Sequence, residues 1–146
     1  MRLSTRCYAP RALLELAVND TGKSAILKEI AQRQQISLGY LRYLITPLIA
    51  AGVLRTVRGS KGGISLVKPA NEVKLSEVIQ LLEGSLAPLK CVDNPGLCRR
   101  SESCATRDIW CEVKKAVSSV LESVTLQGLI ERQKRKKQPE QAMYYV

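Results

Sequence analysis

Apolar residues recur at helical spacing three times in the first third of the chain. Leucine, isoleucine, valine and alanine stand three or four positions apart in each stretch, which predicts amphipathic helices. The predicted helices are residues 10–19, 25–34 and 37–51. Ser24 and Ser37 precede the second and third helices and are expected to cap them. Pro47 is expected to bend the third helix or end it early. The second and third helices, joined by a tight turn, predict a helix-turn-helix motif.

The pattern changes to that of short strands after the third helix. Residues 53–58 and 64–68 are rich in valine, leucine and isoleucine, and the glycine-rich segment 59–63 between them predicts a hairpin turn. Such a hairpin after a helix-turn-helix motif is the wing of a winged helix. Two other interpretations are a nucleotide phosphate loop, which would normally precede a helix, and an ordinary solvated turn.

A long amphipathic helix is predicted in the second half of the chain. A short helix is expected over residues 74–83, followed by an irregular loop that contains proline and glycine. From about Thr106, apolar residues recur at helical spacing for nearly twenty positions. Little other chain remains to cover this stripe, so we expect it to pack against the same helix of a second copy in a homodimer. Thr125 is expected to cap a last helix over residues 126–131.

These elements predict a mostly α fold with a small β-hairpin: a winged helix-turn-helix head and a long dimerisation helix. Four segments follow. They are the DNA-binding head (1–84), a cysteine-rich cluster-binding loop (85–105), the dimerisation helix with a short terminal helix (106–132), and a basic polar tail (133–146) that we expect to be mobile.

Positive charge is concentrated in the predicted head. The chain carries 23 Lys and Arg against 13 Asp and Glu, a formal charge of +10. Residues 1–70 contain 11 basic and 3 acidic residues, a net charge of +8, whereas residues 71–146 contain 12 and 10. A double-stranded DNA operator is therefore the expected partner, and a merely solvated basic face is the alternative.

The composition argues against an enzyme and against a membrane protein. The chain contains no histidine, which removes Ser-His and Cys-His nucleophile activation. Its apolar stretches are too short to cross a membrane, and the N-terminus lacks the pattern of a signal peptide. We therefore expect a cytoplasmic protein without a membrane partner.

Three of the five cysteines stand close together in the loop before the long helix. In the cytoplasm they would stay reduced, so their clustering suggests metal binding or redox chemistry rather than disulfides. Cys91, Cys98 and Cys104 are separated by six and five residues and lack the Cys-x-x-Cys knuckles of a zinc ribbon. An iron-sulfur cluster tolerates wider spacing. Unrelated buried or inert thiols are the alternative.

Several segments together resemble the bacterial winged-helix iron-sulfur transcription regulators of the IscR and NsrR type. They are the opening Met1-Arg2-Leu3-Ser4, the run Ile36-Ser37-Leu38-Gly39-Tyr40-Leu41, the wing Val57-Arg58-Gly59-Ser60-Lys61-Gly62-Gly63, and the three-cysteine loop followed by Trp110. The resemblance implies a dimeric transcription factor, usually a repressor, whose DNA affinity depends on a [2Fe–2S] or [4Fe–4S] cluster. Redox state, nitric oxide or the supply of iron-sulfur clusters would be the signal.

The fourth cluster ligand departs from both patterns in the family. Where the cluster-biogenesis regulators have a ligating histidine, this chain has Arg107, which is no ligand. Where the nitric-oxide-sensing relatives have an aspartate that reaches the partner subunit's cluster, this chain has Cys7. A thiol near a helix N-terminus ionises readily. We therefore expect Cys7 to act across the dimer, with Cys111 as the alternative ligand.

The expected DNA contacts come from the recognition helix and the wing. Ser37 and Tyr40 are assigned to phosphates, Arg42 and Tyr43 to base edges, and Arg58 and Lys61 to the minor groove. Some relatives have an acidic residue at the Arg42 position, so operator preference should differ. Two rival functions remain: a thiol- or zinc-based redox-sensing regulator without a cluster, and a protein-binding scaffold or enzyme subunit.

Overall fold

A computed structural model describes residues 3–19, 24–60 and 62–137. In these residues seven α-helices accompany one antiparallel two-stranded sheet, which confirms the mostly α winged-helix fold. The helices are α1 (Leu3–Val18), α2 (Leu27–Gln34), α3 (Leu38–Ala50), α4 (Leu75–Glu83), α5 (Lys90–Asp93), α6 (Ala105–Glu122) and α7 (Leu126–Lys137). The strands are β1 (Leu54–Val57) and β2 (Gly63–Leu66).

One hydrophobic core joins the head to the start of the last helix. Its fully buried side chains come from α1, α2, α3, the hairpin, α4 and α7; among them are Leu13, Ile30, Leu41, Leu54, Ile64, Val78 and Leu126. The backbone brings α7 back to the head, because the Leu75 N–H donates to Val124 and the Leu126 N–H donates to the Val73 carbonyl. The last helix therefore belongs to the head, although α6 separates it from the head in sequence.

The wing is tied to the start of the helix-turn-helix motif. Ala25 and Ile64 exchange two backbone hydrogen bonds of 2.9 Å, so residue 25 acts as a third, one-residue strand beside β2. The expectation that Ser24 caps a helix beginning at residue 25 is wrong. The strand pairing keeps Ala25 extended, so α2 begins at Leu27 with Ile26 at the cap position and without a side-chain cap.

Three helix boundaries differ from the predictions. α1 begins at Leu3 and continues through Pro10, because Thr5 and Ala9 extend its buried face upstream of the proline. α3 runs through Pro47 to Ala50 and does not end early. α7 continues to Lys137, well past the expected end at residue 131, so residues 133–137 of the expected mobile tail are helical. Residues 138–146 of that tail lie outside the described part of the chain.

The long helix α6 contains no buried residue. Ile109 and Val120 are 57% and 63% exposed, and Ala116, Val117, Val120 and Leu121 line an open apolar groove along the helix. In the described residues this part of the predicted stripe is therefore open to solvent, while other parts of α6 contact α4 and α5. None of the helices in the described residues is both long and apolar enough to cross a lipid bilayer.

Candidate DNA interface and cysteine centre

The recognition helix α3 has a well-defined start and an exposed polar side. The Ser37 hydroxyl accepts a 3.1 Å hydrogen bond from the Tyr40 N–H, which confirms Ser37 as the N-cap. Leu41, Leu44, Ile45 and Leu48 of this helix are buried in the head. Arg42 and Tyr43 lie on the solvent side, and Tyr43 is 61% exposed. The geometry leaves these two side chains accessible to a DNA groove.

Tyr40 links the recognition helix to α1. Its ring stacks on Tyr43 at a centroid distance of 6.2 Å and meets the ring of Tyr8 edge-on, also at 6.2 Å. The Arg11 guanidinium lies 5.5 Å from the centre of the Tyr8 ring. The Tyr40 hydroxyl is buried and has no hydrogen-bond partner among the described residues. The phosphate contact of Tyr40 stays a prediction, and a contact through this hydroxyl would require the side chain to leave its buried position.

The wing tip is a tight turn built on glycine. Gly59 has a φ of 118°, and the Gly62 N–H donates a 2.9 Å hydrogen bond to its carbonyl oxygen. A side chain at Gly62 would overlap the carbonyl oxygens of Val57 and Gly59. Arg58 is exposed beside this turn. Lys61, the other predicted wing contact, lies outside the described residues.

The cysteine loop is ordered by short helical turns. Cys91 lies in α5, and Cys98 and Cys104 each follow a single 3-10 turn, Pro95–Leu97 and Ser101–Ser103. The buried Ser101 hydroxyl bonds to the carbonyl oxygens of Pro95 and Cys98. Cys98 is exposed, whereas Cys91 and Cys104 are half-buried. The loop therefore holds its thiols near the surface, where a metal centre can reach them.

Local hydrogen bonds favour ionised sulfur at Cys104. The Thr106 hydroxyl lies 3.1 Å from the Cys104 Sγ atom and, with the Arg107 backbone N–H, lowers the pKa of this thiol. Arg107 also donates a 2.9 Å hydrogen bond from Nε to the Cys91 carbonyl oxygen. Arg107 thus joins the two ends of the loop instead of binding a metal.

One chain does not bring four ligands together. In the residues that the structure describes, no group of three or more cysteines and carboxylates lies close enough to hold a metal ion. Cys7 is exposed on the first turns of α1, and Cys111 is half-buried on α6. The donor set nevertheless fits an iron-sulfur cluster chemically, because the loop presents three thiols beside the exposed cations Lys90, Arg99 and Arg100.

The chain matches a known family along most of its length. Residues 3–132 match Rrf2, a family described as iron-dependent transcriptional regulators. The chain belongs to the Rrf2 family. It is 37% identical over 131 residues to the protein rrf2 of Nitratidesulfovibrio vulgaris, covering 89% of this chain and 87% of that protein.

Two solved structures show the same Rrf2 architecture. IscR of T. potens superposes with a TM-score of 0.79 at 30% identity and covers 99% of this chain and 96% of its own. The oxidised form of Staphylococcus aureus CymR gives 0.73 at 33% identity, with coverages of 90% and 97%. The chain is thus a DNA-binding transcriptional regulator of the Rrf2 family, and not an enzyme.

Sequence reasoning missed one contact of this Rrf2 protein beside the candidate ligand Cys7. Arg6 forms an ion pair with Glu83, the last residue of α4, just before the cysteine loop. The Glu83 side chain is only 11% exposed, so the pair is shielded from solvent on the carboxylate side. No sequence pattern connects residues 77 positions apart.

Proposed function

We propose that this Rrf2 protein is a dimeric regulator whose operator affinity depends on an iron-sulfur cluster, [2Fe–2S] or [4Fe–4S]. Cys91, Cys98 and Cys104 of one subunit would hold it together with Cys7 of the partner subunit. The proposal includes repression as the usual outcome and the cytoplasm as the location, where thiols stay reduced. When bound, the cluster supplies a centre that responds to redox state, nitric oxide or iron supply.

The cysteine loop is the observation that carries the proposal. Its three thiols lie at or near the surface on short turns fixed by local hydrogen bonds, and the exposed cations Lys90, Arg99 and Arg100 are their near neighbours in the sequence. These cations would offset the negative charge of thiolate ligands and of a cluster. The fourth thiolate must then come from elsewhere, and exposed Cys7 on α1 is free of any bond to another cysteine.

The neighbours of Cys7 suggest how the cluster would affect DNA binding. Arg6 pairs with Glu83 beside the cysteine loop, and Tyr8 contacts Tyr40 of the recognition helix. A change in the position of the Cys7 thiol would therefore affect both contacts of the first turns of α1, the Arg6–Glu83 ion pair and the Tyr8–Tyr40 ring contact. Holding Cys7 across the dimer would fix the position of α3 relative to its counterpart, and releasing it would allow the two heads to separate.

The same proposal assigns the DNA contacts. Arg42 and Tyr43 read base edges, because both are exposed on the recognition helix and arginine can donate two hydrogen bonds to guanine. Ser37 contacts a phosphate at the start of that helix, and Arg58 enters the minor groove from the wing.

A thiol switch without a cluster is the second candidate. It is favoured by the exposed Cys7 and Cys98 and by the existence of a related CymR structure in an oxidised form. In this case oxidation of thiols, or their binding of zinc, would change the DNA affinity. Visible absorbance distinguishes the two candidates, because an iron-sulfur protein is brown and a thiol or zinc protein is colourless.

Anaerobic purification followed by iron and acid-labile sulfide assays tests the main proposal. We expect stoichiometric iron and sulfide and visible absorbance in the unmodified protein. Cys7→Ser should lower the cluster content while leaving a folded dimer, and Cys111→Ser is the matched control that should keep the cluster. A colourless, iron-free protein would exclude the proposal, and the reverse behaviour of the two variants would make Cys111 the fourth ligand.

A further inference from the structure

The end of α7 carries a dense group of cations. Five of its last six residues are basic and all five are exposed: Arg132, Lys134, Arg135, Lys136 and Lys137. We call them the α7 cationic surface. None of them forms an ion pair with a carboxylate in the part of the chain that the structure describes. The buried residues Leu126 and Ile130 fix the same helix to the head, so this surface has a defined position.

The α7 cationic surface lies beside the helix-turn-helix motif. Gln133 and Lys137 line one open cavity of about 420 Å³ together with Arg11 of α1 and with Arg33 and Gln34 at the end of α2. Gln34 is the last residue of α2, and α3 begins only four positions later. Arg33 is already paired with Glu15 and Glu29, whereas exposed Arg11 has no ion pair with a described residue. Arg11 thus adds to the unneutralised positive charge.

The cations at the end of α7 have opposing effects on the stability of the helix. The helix dipole favours the four in the last turn, Lys134, Arg135, Lys136 and Lys137. Arg132 and Lys136 are four positions apart and Lys134 and Lys137 three apart, so each pair places like charges on one face, which destabilises a helix. A polyanion bound along the surface would remove this repulsion.

We propose that the α7 cationic surface binds backbone phosphates of DNA outside the half-site read by the recognition helix. The five charges span about 7.5 Å of helix axis, and a duplex presents about four phosphate charges over that length. The match in charge density and the position beside the helix-turn-helix motif favour the duplex over an acidic protein. The contact would add affinity without adding sequence preference.

Salt-dependent binding to duplexes of two lengths tests this proposal. The probe is a duplex obtained by binding-site selection from random sequence, either cut at the outer edges of the half-sites or extended by about one helical turn at each end. A variant with all five residues changed to Gln should bind the extended duplex about 10-fold to 100-fold more weakly at about 0.1 M salt. The slope of log affinity against log salt should fall by about two or three per protomer. Binding to the short duplex should change little.

Matched pairs of substitutions control for net charge. Lys136→Gln with Lys137→Gln should lower the salt slope on the extended duplex, whereas Lys74→Gln with Lys115→Gln, exposed lysines of the α4 cap position and of α6, should not. Equal slopes for the unmodified protein and the five-residue variant on the extended duplex would overturn the proposal, whether the surface then proved to bind an acidic protein or nothing. Equal losses on both duplexes would also overturn it. Thermal unfolding of every variant checks that the head remains folded.

Discussion

Ser37 has one observed role, as N-cap, and one proposed role, as a phosphate contact, and substitution can separate them. Its oxygen accepts the hydrogen bond from the Tyr40 N–H, while its exposed position suits a phosphate contact. Ser37→Ala should lower the free energy of unfolding by about 1 kcal/mol, because the cap is lost. Ser37→Asp keeps a cap but places a negative charge at the phosphate, so stability should be retained and operator binding weakened. Urea denaturation and DNA titration measure the two effects. Equal destabilisation by both substitutions would contradict this separation.

The Gly63 backbone lies so close to the backbone of Ala25, just before α2, that no side chain fits between them. A Cβ atom there would overlap the Ala25 carbonyl group, with 2.7 Å to its carbon. Gly63→Ala should therefore destabilise the protein by about 1–3 kcal/mol. Gly39→Ala is the matched control, because a Cβ atom at this exposed helical position meets nothing within 4 Å. It should stabilise α3 by about 0.5–1 kcal/mol. Thermal or urea unfolding measures both, and a neutral Gly63→Ala would show that the bridge between Ala25 and Ile64 is loose.

Residues whose role depends on near neighbours could be predicted from sequence. The caps at Ser37 and Thr125 follow from local pattern, and both form, since the Gly128 N–H donates to the Thr125 hydroxyl. Ser24 fits the same pattern, yet the extended backbone at Ala25 depends on pairing with Ile64, almost forty positions away. The buried Tyr40 hydroxyl and the pair of Arg6 with Glu83 were missed for the same reason.

At the scale of elements, α6 is a helix whose apolar groove is open to solvent in a single copy of the chain. Val117→Glu with Val120→Glu places two charges in its apolar groove. If this groove forms the dimer interface, the dissociation constant of the dimer should rise by at least about 10-fold. Ser119→Glu, an exposed position beside the stripe, should leave the dimer intact. Sedimentation analysis distinguishes the two, and an unchanged dimer in the double variant would move the interface elsewhere.

Element type was easier to predict than element length. All the predicted helices and both strands of the wing are present, because the helices have long, regular hydrophobic patterns and glycines mark the turn between the two short strands. The predicted start of α1 and the predicted end of α7 were wrong. Proline at position 10 and the basic run after residue 131 both suggested irregular chain, whereas contacts between α1 and α7 and the buried side chains of each helix stabilise the additional turns.

At the scale of the whole molecule, the proposed cluster should act on specific rather than general DNA binding. Misplaced heads lose base contacts, each worth about 1–3 kcal/mol. Removing the cluster should therefore weaken operator binding severalfold to about 100-fold. Binding to an unrelated duplex should change little, since the basic head with its net charge of +8 over residues 1–70 is retained. Titration of both duplexes under anaerobic conditions measures this, and equal losses on the two would contradict the proposed switch.

The aromatic contact between α1 and α3 should determine how much the operator affinity differs between protein with the proposed cluster and protein without it. Tyr8→Ala removes the edge-on contact with Tyr40 and leaves all five cysteines unchanged. Cluster content should stay normal, while the ratio of operator affinities with and without the cluster should fall toward one. Tyr8→Phe keeps the ring and should keep the ratio. A normal ratio in Tyr8→Ala would mean that the signal bypasses this contact.

Arg107 holds the two ends of the cysteine loop together. Its hydrogen bond to the Cys91 carbonyl closes the segment between the first and last cysteine, and Ser101 braces the middle. The hydrogen bonds restrict the loop backbone before the proposed cluster binds, so less conformational entropy is lost on binding, although the thiols must still move closer together. Loss of the proposed cluster should then leave the loop folded, so that the same molecule can bind a cluster again.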